Sequence, residues 1–418
     1  MEFVFLAILL LVILLGKRMY HTYINPLVLF LGVFFFAFFI VFSIDFIRVD
    51  LITGDIWVLY IASFISFFSG IILYRVVPIG FPKRKIFEID EDAERKVYLK
   101  EIRTLFLLIF CATAIYWTQK LIANGVIGFF KYLLTTHENE SIGGAFTIIL
   151  YIKMLTVFLS PYVVNYMVQY KDRSIKYFLI IIFTFMANIA YTRNVLFYIA
   201  ILDILVLLYT RLKENNRISF KWIFYVFVLV AAFRFFSYTQ SLFNKQLSIN
   251  GTFLGVKLSN PLVTIISYFT GPLVSTSLYS GNITNVPFLG YTLRCFRIII
   301  NGFGLKSLDT GSYMPQAWVY IPFKFNTTTL QLYILKEGGW VWVVLFFLFL
   351  GYISEKAYKN YRNNRSRYTL MLLILLSLLL ITSIRSYIFT RLDMFIYSIC
   401  VCVLVFLRRV SFGKKGGI

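Results

Sequence analysis

Long apolar runs separated by short charged clusters set the pattern of this chain. A membrane-spanning helix takes roughly 20 mostly apolar residues. That ruler predicts eleven spans, near 2–16, 25–44, 56–74, 104–119, 146–168, 177–192, 194–210, 222–237, 338–354, 369–385 and 391–408. The charged clusters fall on alternate connections. Segments 17–24, 75–103, 171–176, 211–221, 355–368 and 409–418, with Arg408, hold 26 of the 41 Lys and Arg residues. Positive charge gathers on the cytoplasmic side of membrane proteins, so the N-terminus is expected outside and the C-terminus inside. The fold class expected is an all-α polytopic integral membrane protein with about 11 transmembrane helices.

Composition supports this reading. Of 418 residues, 60% are hydrophobic and 14% charged, against about 25% charged in soluble domains. That is too much apolar surface for one aqueous core, so lipid must solvate the excess. A net charge of +22 would suit nucleic acid if it formed one basic face. Here it is spread over alternate connections, and no nucleic acid partner is expected. The first apolar run is preceded by Glu2 and followed by Lys17 and Arg18, the reverse of a secretory signal, so it reads as a first spanning helix.

The cysteines (Cys111, Cys295, Cys400, Cys402) and the histidines (His21, His137) form no metal or disulfide spacing. No Gly-rich loop has the strand–turn–helix setting of a nucleotide site. Neither a metal nor a cofactor is therefore expected.

The chain divides into three regions: 1–237 with eight spans and a cytoplasmic loop at 75–103, a segment 238–337 without a convincing span, and 338–418 with three spans and a basic tail. The mixed charges of 75–103 suit a solvated helix or hairpin, or a plain solubilising loop. The segment 238–337 falls on the outer face. Loops of that length in compact proteins are usually functional. It is rich in aromatics, Gly and Pro (NPLVTIISYFTGPLVSTSLYS, SYMPQAWVYIPFKFN), which suits short helices lying at the membrane surface or folding back as a lid.

Arginine is selectively placed near the outer boundary. Arg193 sits in the tight turn YTRN, Arg234 interrupts VAAFRFFSY, Arg294 and Arg297 lie in YTLRCFRIII, and Arg385 and Arg391 bracket RSYIFTR. A guanidinium offers planar paired donors that match phosphate oxygens, so a diphosphate at headgroup depth is the ligand such a group would take. Each arginine could instead only snorkel to the interface, although Arg193 and Arg385 occupy turns too short to be idle. Outer-face carboxylates are Asp45, Asp50, Asp55, Glu138, Glu140, Asp309, Glu337 and Asp393. Asp309 and Glu337 are candidate general bases for a sugar hydroxyl; Glu337 could equally pair with Lys336 and end its helix. Tyr279, Tyr313, Trp318 and Tyr320 are candidate platforms for sugar rings.

The segments ANIAYTRNVLFYIAIL and FNTTTLQLYILKEGGWVWVVLFFLFLGYISEKAY, with the span count and a late outer-face loop, resemble the Wzy-type oligosaccharide repeat-unit polymerases of O-antigen and capsule assembly. Where that family often shows an Asp, an aromatic and a Gly, this chain has Glu337-Gly338-Gly339. The resemblance implies a GT-C-like helical architecture in a bacterial cytoplasmic membrane. It implies transfer of a growing glycan from undecaprenyl diphosphate to a new lipid-linked repeat, with a chain-length regulator among the expected partners. Arg193, Arg385 and Arg391 would neutralise the leaving diphosphate. Two rivals share parts of this pattern. A lipid-linked oligosaccharide flippase also carries cations in a membrane cavity, but with short loops and paired halves. An O-antigen ligase shares fold and donor, but tends to carry a His in the outer loop, which 238–337 lacks.

Overall fold

A computed structural model of the chain describes residues 1–77, 91–135, 145–188, 193–211, 251–280, 286–302, 319–320, 324–325 and 327–413. Among the described residues the chain forms thirteen α-helices and two short hairpins. In chain order these are α1 (Glu2–Tyr20), α2 (Val33–Ser43, entered through a π-turn at Val28–Gly32), α3 (Gly54–Val76), α4 (Glu91–Thr135), α5 (Ala145–Met154), α6 (Thr156–Gln169), α7 (Ile175–Asn188) and α8 (Arg193–Arg211). A hairpin of β1 (Thr252–Phe253) and β2 (Val256–Lys257) leads into α9 (Asn260–Ser280) and then α10 (Arg294–Gly302). A second hairpin, β3 (Val319–Tyr320) and β4 (Lys324–Phe325), precedes α11 (Leu330–Asn364), α12 (Arg367–Thr382) and α13 (Leu392–Gly413).

Six described helices are long and apolar enough to cross a membrane by length and composition, and shorter apolar helices accompany them. Every expected span that falls on described residues coincides with a helix; the one near 222–237 lies outside them. The charged stretch 91–103 is the first part of α4, a helix rather than a loop.

The core is built on α3 against α11. A side chain added at Gly70 would begin 2.0 Å from the Leu348 carbonyl oxygen, and one at Gly351 the same distance from that of Phe67. The two backbones therefore touch where each helix lacks a side chain, which is how helices gain dispersion energy when lipid is as apolar as the partner. Around this seam Phe30, Phe34, Phe67 and Phe347 are fully buried.

The expected cytoplasmic segments meet one another. Tyr20 at the end of α1 and Arg75 near the end of α3 both bond Glu355 of α11. Arg95 of α4 reaches Asp172 after α6, and Arg367 of α12 reaches Glu101 of α4. This is the basic end of the bundle. Ser43, Thr53 and the turn at 383–391 belong to the opposite end.

The 238–337 region holds one apolar helix that hydropathy alone would count as a span, α9. Its contacts show otherwise. At its entry, Leu254 N donates to Ser43 O at 2.9 Å, and Asp45 accepts from the amide and hydroxyl of Thr252 at 2.7 and 2.9 Å. At its exit, the Ser277 hydroxyl accepts from Thr53 N at 2.9 Å and donates to Thr53 Oγ1 at 3.0 Å. Ser43 and Thr53 flank a single connection, so both ends of α9 lie at one end of the bundle. Its middle is held by Tyr60, whose hydroxyl donates to Leu273 O at 3.0 Å. The expectation of a folded-back helix fits this element.

Two outcomes follow from these contacts. Leu at Gly70 or Gly351 overpacks the seam, at a cost of about 1–3 kcal/mol or more. It is expected to lower the thermal midpoint in detergent, whereas Gly54→Ala, which enters open space, leaves it unchanged; equal midpoints for all three variants would refute the seam.

The second concerns pH. The Thr252 amide donating to Asp45 holds that carboxyl below the usual carboxylate range. A lowered folded pKa contributes stability above the unfolded value near 3.9 and loses it as pH falls through the folded value. Hydrogen-exchange protection of 251–258, corrected for intrinsic rates, is expected to stay flat from neutral pH to about 5 and to fall below about 4. Asp45→Asn should abolish that dependence, and an unchanged profile in the variant would exclude Asp45 as its origin.

Candidate functional site

At the end opposite the basic one, segments far apart in sequence converge: 286–302, the start of α11, the turn 383–391 and the first turns of α8. The local sequence of α11 explains how its part is placed. Helix geometry is interrupted at Gly339, with φ 69° and ψ −169°, a region open almost only to glycine. Its neighbour Gly338 has no room for a side chain, because one would begin 2.5 Å from Trp342. The pair therefore offsets Leu330–Gly338 from the rest of the helix and lets the Trp342 ring fold back over Glu337.

Glu337 is 2% exposed. Its Oε2 accepts from the amides of Tyr291 and Thr292 at 2.9 and 2.8 Å, and its Oε1 from Thr292 Oγ1 at 2.6 Å and Trp342 Nε1 at 3.2 Å. A carboxylate offers about four lone-pair sites, and here four donors occupy it. The single Thr292 hydroxyl proton is committed to Glu337, so the 3.0 Å contact with Tyr387 has the Tyr387 hydroxyl donating to Thr292. Val286 N adds a bond to Lys336 O at 3.2 Å. Glu337 thus ties 286–293 to α11 and, through Thr292, to the 383–391 turn. Neither pairing with Lys336 nor ending the helix describes it.

The arginines gather on the same turn. Arg294 Nη1 donates to Thr390 O at 3.1 Å, while its buried Nε has no partner. Arg385 lies 5.4 Å over the Tyr268 ring of α9. Arg391 forks onto both oxygens of Asp393 at 3.2 Å and lies 5.2 Å over the Tyr198 ring of α8. Arg297 stands three residues beyond Arg294 on α10, hence on the same helical face. Arg193 is the first residue of α8. Arg234 and Asp309 lie outside the described residues, as do Tyr313 and Trp318. Tyr320 falls in β3. Tyr279 is fully buried, so it fills the core and presents no ring face to a sugar.

Around the turn, four described cations (Arg294, Arg297, Arg385, Arg391) face two carboxylates, Glu337 and Asp393. Asp393 is 3% exposed and spent on Arg391, so that pair is locally neutral and leaves Arg294 and Arg385 as guanidiniums that no described carboxylate holds. Cys295 donates to Phe389 O at 3.3 Å, and burial pushes its thiol up to about 12, which leaves it protonated and poorly nucleophilic at neutral pH. Among the described residues no group of three or more His, Cys, Asp or Glu is placed to hold a metal ion. The arrangement can bind an anion through guanidinium forks; it offers no thiolate.

Three polar residues of this site carried no signal in the sequence. Thr292 and Tyr387 are ordinary loop residues until the fold brings them together across 95 positions. Gln331 follows Leu330, whose amide donates to Ser383 O at 2.8 Å, and it is fully buried with neither end of its amide partnered. Its only visible mark was a polar residue opening an apolar helix.

No family model, curated protein or solved structure matches the chain.

Removing the Glu337 acceptor leaves buried donors unpaired, at about 1–3 kcal/mol for a group of this kind. Glu337→Ala is expected to lower the unfolding midpoint and to open 286–293 to protease, while Glu337→Gln, which retains an acceptor for the two amides, keeps most of the protection. Native-like protection in the alanine variant would end the tether assignment.

Proposed function

We propose that this chain is a membrane glycosyltransferase. In this reading it joins undecaprenyl-diphosphate-linked oligosaccharide repeats into O-antigen or capsular polysaccharide, on the outer face of the bacterial cytoplasmic membrane and on an eleven-span, GT-C-like scaffold. The observation that carries the reading is the placing of Arg294, Arg385 and Arg391 at one turn, beside α9, whose two ends lie at the same end of the bundle.

The chemistry assigned to each group follows from its contacts. Transfer breaks the bond between the anomeric carbon and the diphosphate, and negative charge grows on the leaving oxygen. Arg294 and Arg385, whose guanidiniums are not held by carboxylates in this arrangement, would meet that charge; fixed cations in a water-poor site stabilise it far more than cations in water. Arg391 is oriented by Asp393 and would act from a fixed position. Glu337, engaged by four donors, is a positioning residue that keeps 286–293 and the turn in register. Of the two base candidates, that leaves Asp309 to accept the proton of the attacking sugar hydroxyl. The 238–337 segment would orient the two sugars and exclude water.

The test is complementation of a strain lacking the chain, read as a surface-glycan ladder on a gel beside the membrane level of each variant. A deletion that leaves single repeats on the carrier supports a polymerase. Repeats trapped on the inner leaflet would indicate a flippase, and long polymer left on the carrier a ligase. Charged hydrogen bonds contribute about 1.5–3 kcal/mol, so Arg385→Ala or Arg294→Ala is expected to cut ladder formation by roughly 10–150-fold at unchanged protein level. Full ladders from both would remove the diphosphate site. Asp309→Asn is expected to lose the ladder as well.

A further inference from the structure

The basic end of the bundle contains a cavity that the glycan chemistry does not use. It has a volume of about 320 Å³ and is lined by Met19 and Tyr20 of α1, Arg75 of α3, and Tyr358, Lys359 and Arg362 of α11. This is at the small end of the roughly 300–1,000 Å³ of ligand cavities, enough for a headgroup but not for a whole lipid.

Its electrostatics are unbalanced. One carboxylate, Glu355, is fully buried behind it and accepts from Tyr20 Oη at 2.6 Å and Arg75 Nε at 2.8 Å, with Lys359 Nζ at 3.7 Å. Arg362 Nη1 donates to the Tyr20 carbonyl at 2.8 Å, and Arg75 also lies 4.6 Å over the Tyr20 ring. Three cations therefore answer one anion, leaving two positive charges at the cavity. Each guanidinium has five N–H donors, more than these contacts occupy. Cations that were only solubilising the surface would have no reason to converge from two helices on one open recess.

The surroundings say which anion fits. Ile72, three residues before Arg75 and on the same helical face, is exposed, as are Leu73 and Val76. Leu10, Leu11 and Leu14 of α1 are exposed as well. An exposed apolar surface thus lies on α1 and α3 between the level of the cavity and the middle of the bundle. A soluble anion has no use for it, whereas a phospholipid would lay its acyl chains there with its phosphate among the cations. The segments that form the cavity belong to the set that the positive-inside rule assigns to the cytoplasmic leaflet, where anionic lipids are recognised by basic pockets between helices.

We propose that this cavity binds the phosphate of an anionic glycerophospholipid, with Arg75, Lys359 and Arg362 as ligands, and that the lipid fastens α1 to the α3–α11 seam. The site is independent of the glycosyltransferase reading.

The test uses the full chain in nanodiscs of phosphatidylglycerol, of phosphatidylcholine, and of phosphatidylcholine with excess inorganic phosphate, read by native mass spectrometry and thermal midpoint. Phosphatidylglycerol is expected to remain bound at collision energies that strip phosphatidylcholine, and to raise the midpoint where inorganic phosphate does not. Arg75 is left intact because it holds Glu355. A Lys359→Gln, Arg362→Gln double variant should reduce phosphatidylglycerol retention about fivefold for each cation removed. Its midpoint in phosphatidylcholine, expected to match the unmodified chain, shows that the fold is retained. Equal retention of both lipids, a midpoint rise with inorganic phosphate alone, or undiminished retention in the double variant would each overturn the proposal. A double variant already destabilised in phosphatidylcholine would also count against it, since it would place these cations in the fold and not in a lipid site.

Discussion

A carboxylate withdrawn from water must be met by donors that the chain itself supplies, because lipid offers none. Glu337 is the place where this requirement shapes the molecule. Two backbone amides, a hydroxyl and an indole N–H arrive at its two oxygens, the first three from residues 291–292 and the last from beyond the helix break. The amides fix 286–293, the hydroxyl of Thr292 passes the constraint on to Tyr387, and the indole fixes the helix after the break at Gly339. The arginine-bearing turn is thereby set against α10, and Arg294 reaches Thr390. Remove the acceptor and these segments keep only single bonds, such as Val286 N to Lys336 O and Arg294 to Thr390 O, beside apolar packing, which is indifferent to small slides.

The rest of the bundle supplies what such a cluster needs, a frame that does not yield. The α3–α11 seam brings backbones into contact at Gly70 and Gly351. Because α11 carries Glu337 near one end and Glu355 near the other, one helix links the buried carboxylate of the arginine site to the buried carboxylate of the basic end. Both anions accept bonds from segments outside α11, residues 291–292 at Glu337 and α1 and α3 at Glu355, so each end is sewn by polar bonds while the middle is joined by shape. The opposite signs of excess are avoided: at both ends the surplus is positive.

Much of this was legible in the sequence, and the reason is physical. Hydrophobic run length is a local property, so the helices could be placed from it, down to α7 and α8 as two separate elements. Arginines at the ends of apolar runs are likewise local, and Arg294 does reach the turn that Arg385 and Arg391 bracket. What local pattern could not carry was the pairing. Glu337 and Thr292 are 45 residues apart and Arg294 and Thr390 are 96 apart, and the sequence neighbours of each gave no cue. Asp393 shows the same limit: two residues from Arg391, it was visible as a carboxylate but not as the group that neutralises that arginine. The Glu-Gly-Gly motif is the instructive case. Its unusual composition marked the spot, while its role as a helix break beneath a folded-back Trp342 depends on a backbone angle that composition does not state.

The anchoring of α9 at both ends to the α2–α3 connection bears on how the chain reaches its membrane arrangement. Insertion machinery sorts segments by their partition between channel and lipid as they emerge, and α9 is the least apolar of the six long helices. The bonds that hold it to one side, from Ser43, Asp45 and Thr53, join it to residues made some two hundred positions earlier. Its sidedness is therefore a tertiary property, decided when the finished helix meets a partner already in place, and the segments downstream inherit their side from that encounter.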